Sequence, residues 1–223
     1  MDVLVTGGDT ELGRAVAEGF SEAGHRVTLA GLPGPELEVA AKELDANAIV
    51  CDNSDPTSLQ QARGLFPHHL DTIVNVPAPR WQGGDPRTYS LADQAAAWRS
   101  ALDASVLSAV LTVATVGDHL RSGGSIISVL PENPQPGGAD AAIKAALSDW
   151  TAGQATTFGT RGITVNVVAS GAGARPSYAG LTSTPPPASA EIARLAVFLT
   201  TPAARHITGQ TLHVSHGALA QFA

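Results

Sequence analysis

The chain has little cysteine, few aromatics, little charge and no cluster of basic residues. Cys51 is its single cysteine, so an internal disulfide is impossible and a reducing compartment fits. Aromatic residues make up 4% and charged residues 15%. Thirteen Lys and Arg face 20 Asp and Glu, and the formal net charge of −7 argues against nucleic acid or an anionic membrane as partner. The longest apolar stretch, around 105–117, is interrupted by Ser and Thr and reads as too short to span a bilayer. No basic leader precedes the first strand pattern, so a soluble cytoplasmic protein is expected.

What is present is enough for one substantial core. The chain has 223 residues, 43% of them hydrophobic, and reads as a single domain over 1–223. Short β-branched runs alternate with helical patterns. Strands are expected at 2–7, 25–31, 48–52, 71–76, 125–130, 163–169 and 210–215. Helices are expected at 10–24, 34–45, 55–66, about 91–120, around Lys144 and at 190–199. Seven strands separated by helices require crossover connections. The fold class is therefore α/β, with a doubly wound, parallel, seven-stranded sheet and helices on both faces. The Pro/Gly/Ser-rich run at 170–187 is long for a connector and reads as a lid-like loop beyond the sixth strand.

The segment "VTGGDTELGRAV" (5–16) is strand, glycine turn, helix. Glycines there permit a tight turn and close backbone approach, and the helix N-terminus offers N–H donors to a phosphate. By itself this is equally a ligand-free tight turn. The whole chain, however, resembles the short-chain dehydrogenase/reductase family. Thr6, Gly7 and Gly13 match that family's first-turn pattern T-G-x-x-x-G-x-G, with Glu11 at the middle glycine. Asp52 in "CDNSDP" stands at the adenine-contacting aspartate and Asn75 in "DTIVNVPA" at the first Asn of L-V-N-N-A-G. "GGSIIS" (123–128), "RGITVNVVASG" (161–171) and "ITGQTLHVSHG" (207–217) resemble further family strands.

The resemblance implies a Rossmann-like fold and NAD(P) as cofactor. It also locates two departures in the cofactor half. Glu11 brings a negative charge toward the phosphates; at ~4 Å and an effective dielectric of ~20, that repulsion reaches ~4 kcal/mol. The end of the second strand carries Gly31 and Leu32, where the family has an Asp or Arg for the ribose. Weak cofactor binding is expected.

The same resemblance implies a catalytic tetrad of Asn, Ser, Tyr and Lys. Carried over by spacing, these fall on Ser105, Pro131, Asp140 and Lys144, so Lys144 alone keeps its identity. A phenol holds its proton at neutral pH; a carboxylic acid ordinarily does not, and a lysine one helical turn away favours its ionised form. An ion pair between Asp140 and Lys144 is expected. Tyr89, Tyr178, His119, His206, His213 and His216 are the other conceivable acids, and no metal-ligand spacing stands out.

Three functions remain open. The leading one is a family relative impaired in hydride transfer and acting as a binding or scaffold subunit. The others are an NAD(P)-dependent oxidoreductase with an atypical site acting on a carbonyl or alcohol, and a nucleotide or redox sensor. Association as a homodimer or homotetramer, or with a related active subunit, is expected through apolar and small residues of two helices. These are Leu102, Val106, Ala109, Val110 and Val113 on one, and Ala142, Ala145, Ala146, Trp150 and Ala152 on the other.

Overall fold

A computed structural model describes residues 1–79, 85–130, 139–170 and 188–214. Seven parallel strands form one sheet: β1 (Asp2–Thr6), β2 (Arg26–Gly31), β3 (Asn47–Val50), β4 (Leu70–Asn75), β5 (Leu120–Leu130), β6 (Thr164–Ser170) and β7 (Thr211–Val214). Their order is β3-β2-β1-β4-β5-β6-β7. The winding reverses between β1 and β4, and the crevice at the carboxyl ends of those strands is where ligands bind in such sheets.

Helices cover both faces. On one, α1 (Glu11–Glu22), α2 (Pro35–Glu43) and α7 (Ala188–Leu199) meet Val3, Val5, Leu29, Val74 and Ile127. Phe20 is wholly buried there, and burying such a side chain is worth about 1.5–3 kcal/mol. On the other, α3 (Pro56–Ala62), α5 (Ser108–Val116) and α6 (Ala139–Gly159) enclose Leu4, Ile73, Ile126 and Val165. Neighbouring strand residues point to opposite faces, so these two sets alternate along each strand. The sequence signals for helix ends hold: Gly24, at φ +79°, closes α1, and Asp55 caps α3 through the N–H groups of Thr57 and Ser58.

The expected helix at 91–120 departs from regularity. It consists of α4 (Leu91–Leu102) and α5 joined by one π-helical stretch, Asp103–Leu107. The helical run Leu91–His119, which contains the shorter apolar stretch 105–117, is long and apolar enough to cross a membrane by length and composition only. Its C-terminal part instead packs on the sheet, where Ala109, Thr112, Val113 and Val116 are buried. Ala109 and Val113 thereby serve the chain's own core. By contrast, α4 buries none of its residues, and Leu91 and Trp98 stay exposed.

Candidate active site

The glycine turn is built to bring backbone close to backbone. Gly7 sits at φ +64°, and a Cβ on it would lie 2.6 Å from the Val76 carbonyl oxygen at the end of β4. A Cβ on Gly13 would collide with the carbonyl of Gly7. The Thr6 hydroxyl donates to Val76 O at 3.2 Å and accepts from Val76 N–H at 3.0 Å, which pins the ends of β1 and β4 together. Thr10 caps α1 through Gly13 N–H at 3.0 Å. The first-turn N–H groups of Glu11 and Leu12, which a helix cannot satisfy internally, remain donors.

A cleft opens beside this turn, lined by Gly7, Asp9, Gly31, Cys51, Asn53, Val76 and others. Glu11 does not line it. Exposed at the first position of α1, Glu11 lies in the adjoining groove with Arg14, Pro35 and Glu36. Asp52 also lies outside the cleft lining. Its Oδ1 accepts from the Ser54 N–H at 2.8 Å and from the Ser54 hydroxyl at 2.7 Å. Its neighbour Asn53 does line the cleft and donates to Thr112 Oγ1 on α5 at 3.0 Å.

Asn75 ends β4 and stands in register with Ser128 of β5. They are 4% and 1% exposed, and neither the Asn75 amide nor the Ser128 hydroxyl has a hydrogen-bond partner among the described residues. Both face the α5–α6 side, because their neighbours Val74, Val76, Ile127 and Val129 belong to the opposite core. Buried polar groups are nearly always satisfied, so these atoms at the carboxyl ends of two central strands call for a partner, water or ligand, that the described residues do not supply. Together with the glycine cradle they fit a dinucleotide. Thr6, Gly7, Gly13, Asn75, Asp9 and Asn53 are the residues that would form its seat.

The other half of the site is less complete. Ser105 falls inside the π-helical stretch, a local widening that often marks a functional position in a helix. Pro131, Tyr178, His216 and most of the lid-like loop at 170–187 lie outside the described residues. Asp140 and Lys144 occupy the first turns of α6, with Lys144 exposed. They do not form the expected ion pair: neither belongs to any of the ion pairs among the described residues. The reason is local. The Asp side chain is short, and on a solvated helix face a pair of this spacing gains only ~0.3–0.5 kcal/mol.

One neighbour of Lys144 comes from far along the chain. The hydroxyls of Ser148 on α6 and Thr211 on β7 are 2.7 Å apart, so the alternate β7 residue His213 faces α6 as well. Burial, and then the Lys144 charge, hold the His213 imidazole below the usual histidine range. His119 is engaged elsewhere, 2.8 Å from Pro67 O. Sequence reasoning passed over Asp9, Ser128 and this Lys144–His213 proximity. Only the first left a trace in the sequence: an acidic residue in the glycine turn of a chain whose second strand ends in glycine.

Comparison with known proteins agrees with this geometry. The family model described as "Enoyl-(Acyl carrier protein) reductase" matches residues 9–218. A protein of Mycobacterium tuberculosis (strain H37Rv), provisionally named an oxidoreductase, is 72% identical over 222 residues, covering 100% of both chains. The 3-oxoacyl-acyl-carrier-protein reductase of Escherichia coli (strain K12) is 29% identical over 96% of this chain and 95% of its own. Among solved structures, a Burkholderia cenocepacia short-chain dehydrogenase in complex with NADP has 26% identity and a TM-score of 0.77, covering 96% and 95% of the two chains. A Sinorhizobium meliloti dehydrogenase/reductase reaches a TM-score of 0.78 at 26% identity, covering 98% and 95%. The glycine cradle, the switch-point cleft and these likenesses lead to one assignment: the chain belongs to the short-chain dehydrogenase/reductase family.

Proposed function

We propose that this protein binds a nicotinamide dinucleotide in the β1–β4 cleft but is impaired in hydride transfer, serving as a binding subunit. The observation that carries this reading is the contrast between the two halves of the site. The dinucleotide half keeps its backbone cradle, Asp9 lines its cleft, and Asn75 and Ser128 end the adjoining strands with buried polar atoms that have no partner among the described residues. The proton-transfer half has Asp140 where the family's tyrosine stands, and Asp140 and Lys144 form no ion pair among the described residues. A bound dinucleotide would supply a hydride, but an oxygen receiving it also needs a proton from a group within ~2.6–3.2 Å or one water.

Titration with NADH and NADPH, followed by intrinsic tryptophan fluorescence and calorimetry, tests the first half of the reading. Turnover over a panel of ketones and alcohols tests the second. Binding without turnover is expected; fast turnover that Lys144→Ala abolishes would replace this reading with an active oxidoreductase. That alternative has one specific support, the His213 imidazole held toward α6 near Lys144. Loss of turnover in His213→Asn, with a shifted pH profile in His213→Lys, would identify it as the atypical acid. Self-association through α4 and α6 is part of the same proposal. It is supported by exposed Leu91 and Trp98 on α4 and by exposed Ala142, Ala145 and Ala146 on α6.

A further inference from the structure

We infer that Asp9, in the glycine turn, has taken over the ribose-anchoring position at the end of β2 and selects NAD(H) over NADP(H). The inference rests on the dinucleotide reading above and adds which dinucleotide the cleft takes.

Three observations converge on it. First, the turn is strapped to β2: Gly8 N–H donates to Ala30 O at 3.0 Å, which brings the next residue, Asp9, over Gly31. Second, Asp9 fills the space that a side chain at position 31 would need. A Cβ built on Gly31 would collide with Asp9 Oδ1, and would lie 3.1 Å from Asp9 N and 3.2 Å from Asp9 Cγ. Gly31 therefore reads as the complement of Asp9: the side chain is absent from the strand end because a carboxylate reaches the same place from the turn. Third, Asp9 Oδ1 is buried and has no hydrogen-bond partner among the described residues, and Asp9 lines the cleft.

The surrounding charge sets the selectivity. Among the described residues lining the cleft, Asp9 carries the only charged side chain, so no cation is there to receive a 2′-phosphate. In the adjoining groove the basic residue is Arg14, which is ion-paired with Glu43, and Glu11 and Glu36 add negative charge. A carboxylate in this setting accepts hydrogen bonds from ribose hydroxyls and repels a phosphate dianion at the same point. Asp52 does not take that part, because it lies outside the cleft lining.

The test compares NADH and NADPH affinity by calorimetry for the wild type, Asp9→Asn, Gly31→Ala and the exchange variant Asp9→Gly/Gly31→Asp. Circular dichroism and thermal melts control for folding. The wild type should prefer NADH at least tenfold. Asp9→Asn should weaken NADH about tenfold and narrow the preference, and Gly31→Ala should do the same by displacing the carboxylate. The exchange variant returns the carboxylate to the strand end and should recover the NADH preference. It also guards against the single variants simply perturbing the turn. Equal or tighter NADPH binding by the wild type, or a preference unmoved in Asp9→Asn, overturns this inference while leaving the dinucleotide reading intact. Binding of neither nucleotide by the wild type overturns both.

Discussion

Removing one hydroxyl should loosen both the fold and the mouth of the cleft. Thr6 is 2% exposed and Val76 3%, and they are joined across the β1–β4 switch point by two hydrogen bonds of 3.2 and 3.0 Å. Thr6→Val conserves shape and deletes both bonds, leaving the buried N–H of Val76 without an acceptor. The expected cost is about 2 kcal/mol, within the usual penalty for an unsatisfied buried donor. In a domain of this size that lowers Tm by ~4–8 °C. Thr6→Ser keeps the hydroxyl and loses one methyl, for about 1 kcal/mol. Urea denaturation read by tryptophan fluorescence gives both values from the midpoints at a common slope. The reasoning fails if Thr6→Val is within ~0.5 kcal/mol of the wild type, or if Thr6→Ser costs as much as Thr6→Val.

Glu11→Gly should strengthen dinucleotide binding less than tenfold, because the Glu11 side chain is exposed outside the cleft; a thousandfold gain in calorimetry would mean that its charge does face the phosphates. Asp140→Tyr alone should produce no useful carbonyl reduction, read by the loss of NADH absorbance, since Ser105 and Pro131 remain; substantial turnover would show that the missing phenol was the only defect. Burial, and then the nearby Asp52 and Asp9 charges, push the Cys51 thiol up to about 11. The folded state therefore keeps a proton that the unfolded state releases. Stability should fall as pH rises from the ordinary thiol value toward about 11, and Cys51→Ala should flatten that slope in urea midpoints. Light scattering should find a dimer or larger assembly that Trp98→Glu weakens; a monomer at all concentrations would remove the support for association through α4.

The alternation of β-branched runs with helical stripes carried the architecture, because both periodicities are local and a parallel sheet admits few ways to connect them. The seven strands, the caps at Asp55 and Gly24 and the glycine turn were all legible in short stretches of residues. The candidate site was legible only where it matches a contiguous motif, as at Thr6, Gly7, Gly13 and Asn75. Charges were not legible in direction. Glu11 reads as an intruder on the phosphates, yet the first turn of α1 sends it to solvent. Asp9 reads as filler, yet the Gly8–Ala30 hydrogen bond sets it over Gly31. Asp140 and Lys144 have ion-pair spacing, yet they share a solvated face where pairing gains little. His213 and Lys144 are 69 positions apart, and only the docking of β7 against α6 makes them neighbours. Local pattern determines which elements form and how the chain winds. The direction in which a side chain points depends on what the remote strands and helices place around it, and that only the tertiary structure decides.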